Sequence, residues 1–414
     1  MPEGQNPNRG VEPGGEFLLK TVDLTRHFRL GGMFSKRILH AVDDLDLTIR
    51  EREIVALVGE SGSGKSTVAR LLALLYRPTK GEVYYRGRSI RSLRRRKDLL
   101  WYRGEVSTVF QDPFSAFSPV YRIQHGVLRN LALHRPELGR AERQMEAERV
   151  CQTVGMSPAM LRKFPHELSG GERQRIGFAQ ALAVKPKLIL ADEPVSMLDV
   201  SIRAEVLNMM TDLREQEDVS ILYITHDLAS ARYVADRIVV MYAGYLVETA
   251  PSETLLAEPK HPYTQLLLSA VAEPRQKAEE ISADTGEPPK VINPTEGCRF
   301  RWRCPRAIDV CGQITPKPTP IGESLVSCHV AVREAGGSSI AAGVTGEAAG
   351  SGASRAPSKG ELEDLDNPTG AASITHGQSY GGHAASSDEP PAGEVCQARS
   401  SHERSGSLRD PKAV

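Results

Sequence analysis

The residues Gly59-Glu60-Ser61-Gly62-Ser63-Gly64-Lys65-Ser66-Thr67 fit the P-loop spacing G-x-x-x-x-G-K-[ST]. Glycines at these places let backbone N–H groups turn inward on phosphate, where a Cβ would obstruct the turn. A helix beginning near Ser66 adds the positive end of its dipole. Lys65 is expected to reach the β and γ phosphates, and the Ser66 hydroxyl to ligate Mg²⁺. Farther on, the apolar run Leu-Ile-Leu-Ala ends in Asp192 and Glu193. Asp192 suits Mg²⁺ coordination, directly or through water. Glu193, one residue farther toward the γ-phosphate, suits polarising an attacking water. A second glycine pair stands in Leu168-Ser169-Gly170-Gly171-Glu172-Arg173. Ser169 and the glycine N–H groups, placed at a helix start, make a second anion nest. A phosphate cradle with Mg²⁺ by itself fits kinases, GTPases and motor ATPases alike.

These groups need rigid supports. Ile54–Val58 (IVALV), directly before the P-loop, is a continuous apolar run, as expected of a strand buried on both faces. Similar runs recur at Leu188–Ala191, Ile221–Thr225 and Ile238–Tyr242, with helix-like stretches such as Ser66–Leu75 and Ser201–Glu215 between them. Val42–Ile49 alternates apolar and polar side chains and reads as one half-buried antiparallel strand. Buried strands alternating with helices indicate an α/β core with a mainly parallel sheet. The stretch from about 113 to 175 lacks such strands and reads as an inserted helical subdomain. The basic run Arg86–Arg103 reads as a solvated face with Arg stems lying along the surface.

The chain has 414 residues, with 52 basic and 52 acidic side chains. Zero net charge disfavours nucleic-acid partners, which call for an excess of Lys and Arg. No window supplies the roughly 18 consecutive apolar residues of a membrane-spanning helix. Residues 1–16 are acidic and rich in Gly and Pro, unlike a signal peptide, and read as a disordered leader. Past Glu273 the composition reads as a linker. Beyond the cysteine-bearing segment, 334–414 is dominated by Gly, Ala and Ser and cannot bury enough surface to order, so it reads as a disordered tail. Cys298, Cys304, Cys311 and Cys328 crowd one segment and suggest a metal site. Cys151, on a helical face, and Cys396, in the tail, look unrelated to it.

Leu168–Arg175 (LSGGERQR) resembles the signature of the ATP-binding cassette (ABC) family, with Glu at the fifth place where Gln is commonest. In that family the two nests of one chain do not meet. Each contacts ATP held by the other chain of a head-to-tail dimer. The resemblance covers about residues 17–265 and implies further roles. Gln111 (VFQDPFSAFSP) matches the Q-loop, whose glutamine approaches Mg²⁺ and links the nucleotide to the transmembrane partner. Ser196-Met197-Leu198-Asp199 matches the D-loop, with Met where Ala is usual and Asp199 serving the dimer contact. His226 (ILYITHDL) matches the switch histidine that contacts the γ-phosphate. Phe28 (LTRHF) sits where the family places an aromatic on adenine. Ser169, Gly170, Gly171 and Glu172 join the P-loop residues as the nucleotide-binding set.

Finer strings, ADEPVSMLDVSIRAEVLN, THDLASARYVADRIVVMYAGYLVE and HPYTQLLLSAV at 261–271, resemble the ATPase subunits of oligopeptide and dipeptide importers. Read locally, His261-Pro262 is a turn before a helix, with Pro in the first turn. The order of the four cysteines is similar to that of the same importers, whose cluster is associated with [4Fe–4S]. Zinc is the alternative, but structural zinc sites usually have closer ligand pairs than these. Arg299, Arg301, Arg303 and Arg306 are expected to offset the thiolate charge.

The expected fold is a P-loop NTPase (ABC-type ATPase) core with an antiparallel β subdomain, an inserted helical subdomain and a small Cys-containing extension at 266–333. The expected function is the ATPase of a binding-protein-dependent importer of oligopeptides or dipeptides, peripheral on the cytoplasmic face of the membrane. Its partners would be a second ABC ATPase subunit, two transmembrane permeases and an extracytoplasmic solute-binding protein. Related importers handle oligosaccharides, glutathione or nickel, so these solutes stay open. A soluble ABC ATPase of translation or DNA repair would carry tandem cassettes or a long coiled coil, and a small-molecule kinase would have no use for LSGGER.

Overall fold

The computed structural model of the chain describes residues 17–32, 35–112, 117–272 and 291–337. The leader 1–16, the linker 273–290, the tail beyond 337 and Cys396 lie outside the described residues.

The chain begins with β1 (Leu19–Leu30), β2 (Arg37–Leu45) and β3 (Thr48–Ile49), then β4 (Ile54–Val58), the P-loop and α1 (Lys65–Leu72). It continues through β5 (Lys80–Tyr85), β6 (Arg88–Ser89), α2 (Arg96–Glu105) and β7 (Val106–Val109). Next come α3 (Ile123–His134), α4 (Arg140–Thr153), α5 (Gly170–Leu182), β8 (Leu188–Asp192) and α6 (Val200–Gln216). They are followed by β9 (Ser220–Thr225), α7 (Leu228–Val234), β10 (Arg237–Tyr242), β11 (Tyr245–Pro251), α8 (Ser252–Ala257) and α9 (Pro262–Ala272). Past residue 291 lie α10 (Val310–Gln313), β12 (Thr319–Ile321), β13 (Ser324–Val326) and α11 (His329–Glu334).

The apolar runs became the sheet centre. The larger sheet runs β12-β13-β11-β10-β4-β9-β8-β7, and its five strands from β10 to β7 are parallel. All five residues of β4 are buried, and their alternation sends Ile54, Ala56 and Val58 to one core with Ile176, Phe178, Val206 and Met210 of α5 and α6. Val55 and Leu57 face the other core, with Val68 and Leu72 of α1 and Leu24, Val42 and Leu45 of the antiparallel sheet.

That smaller sheet corrects one expectation. Val42–Ile49 is not a single strand, because β2 ends at Leu45 and β3 starts at Thr48. The Thr21 hydroxyl donates to Leu45 O (2.7 Å) and accepts from Leu47 N (2.8 Å), so a side chain takes the place of ladder bonds. The helices α3 and α4 fall within the expected helical subdomain, and α5 runs on to Leu182. Val127, Leu131, Ala147, Val150 and Cys151 pack between them. In the basic run, Arg86 pairs with Glu51, Arg88 with Asp98 and Arg91 with Glu82, all largely exposed contacts of small energetic value.

The C-terminal segment docks through backbone pairing. Leu325 and Val326 of β13 pair with Thr249 and Glu248 of β11, and His40 N donates to Val291 O. At this junction His261 is fully buried, and desolvation pushes its imidazole down to about 3. Its Nδ1 accepts from Tyr263 N (3.0 Å), which requires the neutral ring. As pH falls, the unfolded chain therefore takes up this proton first. Stability is full above about 6.5 and declines through acid pH by about 1.4 kcal/mol per unit. Denaturant unfolding between pH 6 and 4 is expected to show that slope. His261→Asn, which keeps an acceptor for Tyr263 N, is expected to flatten it.

Candidate functional site

The parallel register brings four loops to one level. Val58 pairs with Thr225, Asp192 with Ile224, and Val109 with Ala191. Gly59, His226, Glu193 and Gln111 follow these strand ends, at the carboxyl side where open α/β sheets bind ligands.

The P-loop is held tightly from outside. A Cβ on Gly59 would come 2.1 Å from Met241 O, and one on Gly64, whose φ is +106°, would come 2.2 Å from Ala41 O. Both sites require glycine, the second for its left-handed backbone as well. Ser63 is buried, with no partner for its hydroxyl among the described residues. Lys65 is buried and donates from Nζ to Gly59 O (2.6 Å) and Glu60 O (2.9 Å). Burial lowers its pKa, while Glu193, Asp192 and Glu60 pull it back up. The Ser66 hydroxyl donates to Asp192 Oδ1 (3.1 Å), so the two oxygens that suit a hard cation face one point. Burial raises the Asp192 pKa and the neighbouring Glu193 adds to it, against the Ser66 bond. Gly62 also has positive φ, and Ser61 is exposed at the loop's tip. Thr67 lies in the first turn of α1, its N–H bonded to Gly64 O.

Glu193 connects the other elements. Gln111 Nε2 donates to Glu193 Oε2 (2.9 Å), and His226 Nδ1 lies 3.4 Å from Oε1. Glu193 has φ +47°, a left-handed conformation that a side-chain-bearing residue holds only under constraint. The constraint is visible: its N–H donates to Ile224 O, and its own carbonyl accepts from Ser196 Oγ.

Ser169 lies elsewhere, capping α5. Its hydroxyl accepts from Glu172 N (3.3 Å), and Glu172 Oε2 accepts from Ser169 N (2.7 Å). This reciprocal capping box explains why Glu serves in the signature, and these bonds hold the Glu172 carboxyl below its usual range. A Cβ on Gly171 would strike Ile202 of α6 at 2.4 Å, whereas Gly170 has ordinary clearance. Ser169 itself is exposed, as are Met197 and Val200 flanking Asp199, the cap of α6. Phe28 is half-buried, T-shaped against Tyr76 and under the Arg26 guanidinium at 4.4 Å.

The underside of the P-loop was not anticipated. Arg303 grips both carboxylate oxygens of Glu60, at 2.9 and 3.0 Å, and the Tyr263 hydroxyl accepts from Glu60 N (3.0 Å). Arg299 reaches Asp43, which also bonds His27 and His40. Burial alone would raise the Asp43 pKa. Its hydrogen bonds from His27 and Arg299, with the charges of Arg299 and His40, more than offset this. The expectation that four arginines neutralise the cysteines is thus corrected. Arg299 and Arg303 pair with the carboxylates of Asp43 and Glu60, and Arg301 with Thr295 and backbone carbonyls. Arg306 pairs with Glu334 and is the one whose charge acts on Cys304, opposing the burial that raises that thiol's pKa.

The cysteines lie near enough to influence one another, but among the described residues only His27, His40 and Asp43 bring ligand atoms within 4.8 Å. All four are free thiols, and Cys298, Cys304 and Cys328 each feel the charge of other members. Burial pushes the Cys298 thiol up to about 11, against the Phe300 N–H that points at it. Backbone N–H groups of Arg306 and of Ala331 and Val330 likewise reach Cys304 and Cys328. Cys151 is buried in α4, apart from them.

Residues 42–196 match the family described as ABC transporter, and residues 247–311 match the oligopeptide/dipeptide transporter C-terminal region. The probable peptide ABC transporter ATP-binding protein y4tS of Sinorhizobium fredii is 42% identical over 76% of this chain and 90% of that protein. The putative oligopeptide transport ATP-binding protein YkfD of Bacillus subtilis is 40% identical over 76% and 95%. The oligopeptide transport ATP-binding protein AppF of the same organism is 38% identical over 76% and 98%. Among solved structures, the dimeric ATP-binding cassette MJ0796 bound to ADP and Pi superposes with a TM-score of 0.52 at 28% identity, covering 56% of this chain and 98% of that one.

Proposed function

This chain belongs to the ATP-binding proteins of oligopeptide/dipeptide-type ABC transporters, and from that premise we propose that it hydrolyses ATP to drive import of oligopeptides or dipeptides. The observation that carries the reading is Glu193, fixed between Gln111 and His226 beside the P-loop. In this reading residues 17–265 are the ATPase and 266–333 an extension upon it.

Lys65 leaves the carbonyls of Gly59 and Glu60 for the β and γ phosphates, and the P-loop N–H groups bind the remaining oxygens. Phe28, with Tyr76 beside it, receives the adenine. The paired oxygens of Ser66 and Asp192 would hold Mg²⁺, with Gln111 as a further ligand, and the bound ion would supply charge neutralisation at the phosphates. Glu193 takes the proton of the attacking water, and His226 and Gln111 hold its carboxylate in place. Ser169 with Gly170 and Gly171 closes on the triphosphate of a sister subunit, and Asp199 meets that subunit too. The exposure of Ser169, Met197 and Val200 supports such a contact.

No described helix is long and apolar enough to cross a membrane. In this reading the subunit works peripherally, on the cytoplasmic face, bound to two permeases that a solute-binding protein serves. The test is reconstitution with those partners in vesicles. Peptide-stimulated ATP turnover and peptide uptake support the reading. Stimulation by an oligosaccharide, glutathione or nickel instead would reassign the solute, and ribosome or DNA co-purification would displace transport altogether.

The four thiols with N–H groups aimed at three of them suit a [4Fe–4S] cluster, whose sulfurs accept such bonds. When bound, the cluster would supply a covalent tie across the extension from Cys298 to Cys328. Anaerobically purified protein is expected to carry iron and absorb visible light. Stoichiometric zinc without iron would overturn the assignment.

A further inference from the structure

Glu60 is the second residue of the P-loop, yet its carboxylate is taken up by the C-terminal segment. Arg303, beside Cys304, holds both of its carboxylate oxygens. The Arg303 side chain is only 12% exposed, its guanidinium lies near the rings of Tyr242 and Phe300, and it donates to the Tyr242 hydroxyl as well. The backbone N–H of Glu60 is spent on Tyr263 Oη, and its carbonyl accepts from Lys65 Nζ. One residue thus joins the C-terminal segment, the α9 tyrosine and the phosphate-binding lysine.

We propose that Arg303 is a positioning residue of the ATP site, which draws the Glu60 carboxylate out of the phosphate nest and fixes the entrance of the P-loop. The inference rests on the ATP-site reading above. The physical argument is one of charge. A carboxylate freed at this place would repel the triphosphate or compete with it for Lys65. A bidentate guanidinium both neutralises and aims it, which an ammonium does less well.

The test is made on the full chain, by equilibrium Mg-ATP binding and steady-state kinetics. Arg303→Gln is expected to raise both Kd and KM for ATP about tenfold, with kcat changed by less than about twofold, the pattern of lost ground-state binding. Adding Glu60→Gln to that variant is expected to recover most of the loss in KM, since it removes the freed charge. Arg303→Lys should fall between wild type and Arg303→Gln. If Arg303→Gln does not fold, Arg303→Lys with and without Glu60→Gln is read for the same rise and recovery. An unchanged KM in a folded Arg303 variant, or a KM that Glu60→Gln fails to recover, overturns the proposal. Wild-type protein that binds no Mg-ATP would instead defeat the ATP-site reading, a distinct outcome.

Discussion

Glu193→Gln is expected to lower ATP turnover by about a thousandfold, within the range general-base catalysis supplies, while Mg-ATP binding survives. Glutamine keeps the shape and the bonding reach toward Gln111 and His226, but it cannot accept a proton from water. The left-handed backbone at this position is held by Ile224 O and Ser196, not by the carboxylate, so the fold should tolerate the change. With the forward step blocked, paired subunits should stay closed on ATP. Phosphate release, nucleotide binding and size-exclusion with ATP read the three consequences. Wild-type turnover in this variant would remove Glu193 from the proton-transfer role.

The second large effect concerns Ser169. Ser169→Arg is expected to leave Mg-ATP binding to the isolated chain near wild type, yet cut turnover by about a hundredfold, as loss of a transition-state anion contact does. Ser169 is exposed and bonded within its own helix, so an arginine there clashes with nothing its own fold requires. Losing the cap costs about 1 kcal/mol, which thermal melting measures separately. An ATP-dependent dimer peak should vanish. Full turnover with the dimer intact would mean that the second nest never touches the triphosphate.

How far the sequence foretold this arrangement depended on what each residue answers to. The strands β4, β8, β9 and β10 fall within a residue of the apolar runs, because burial on both faces leaves no choice of side chain. The residues at their ends were legible for the same reason, since strand register carries Gly59, Glu193 and His226 to one level. The division of β2 from β3 was not legible, since it turns on the Thr21 hydroxyl, more than one strand away in sequence. Nor were the arginines around the cysteines. Spacing showed positive charge next to thiols, whereas Arg299 and Arg303 reach partners some 250 residues earlier in the chain. Tyr263 looked like a family string and proved to be a hydrogen-bond acceptor for the P-loop. A buried-looking tyrosine after a Pro at a helix start could have raised the question of where its hydroxyl goes.

The hairpin of β12 and β13 has a consequence for the free subunit. Without it, β11 would end the large sheet, with the outward N–H and C=O groups around Val247, Glu248 and Thr249 open to any other extended chain. With it, the sheet ends in a three-residue strand with Pro320 at its centre, and the opposite margin, β7, is only four residues long. Short borders, one of them interrupted by proline, offer little template for intermolecular β-pairing. They guard the free subunit against edge-to-edge aggregation.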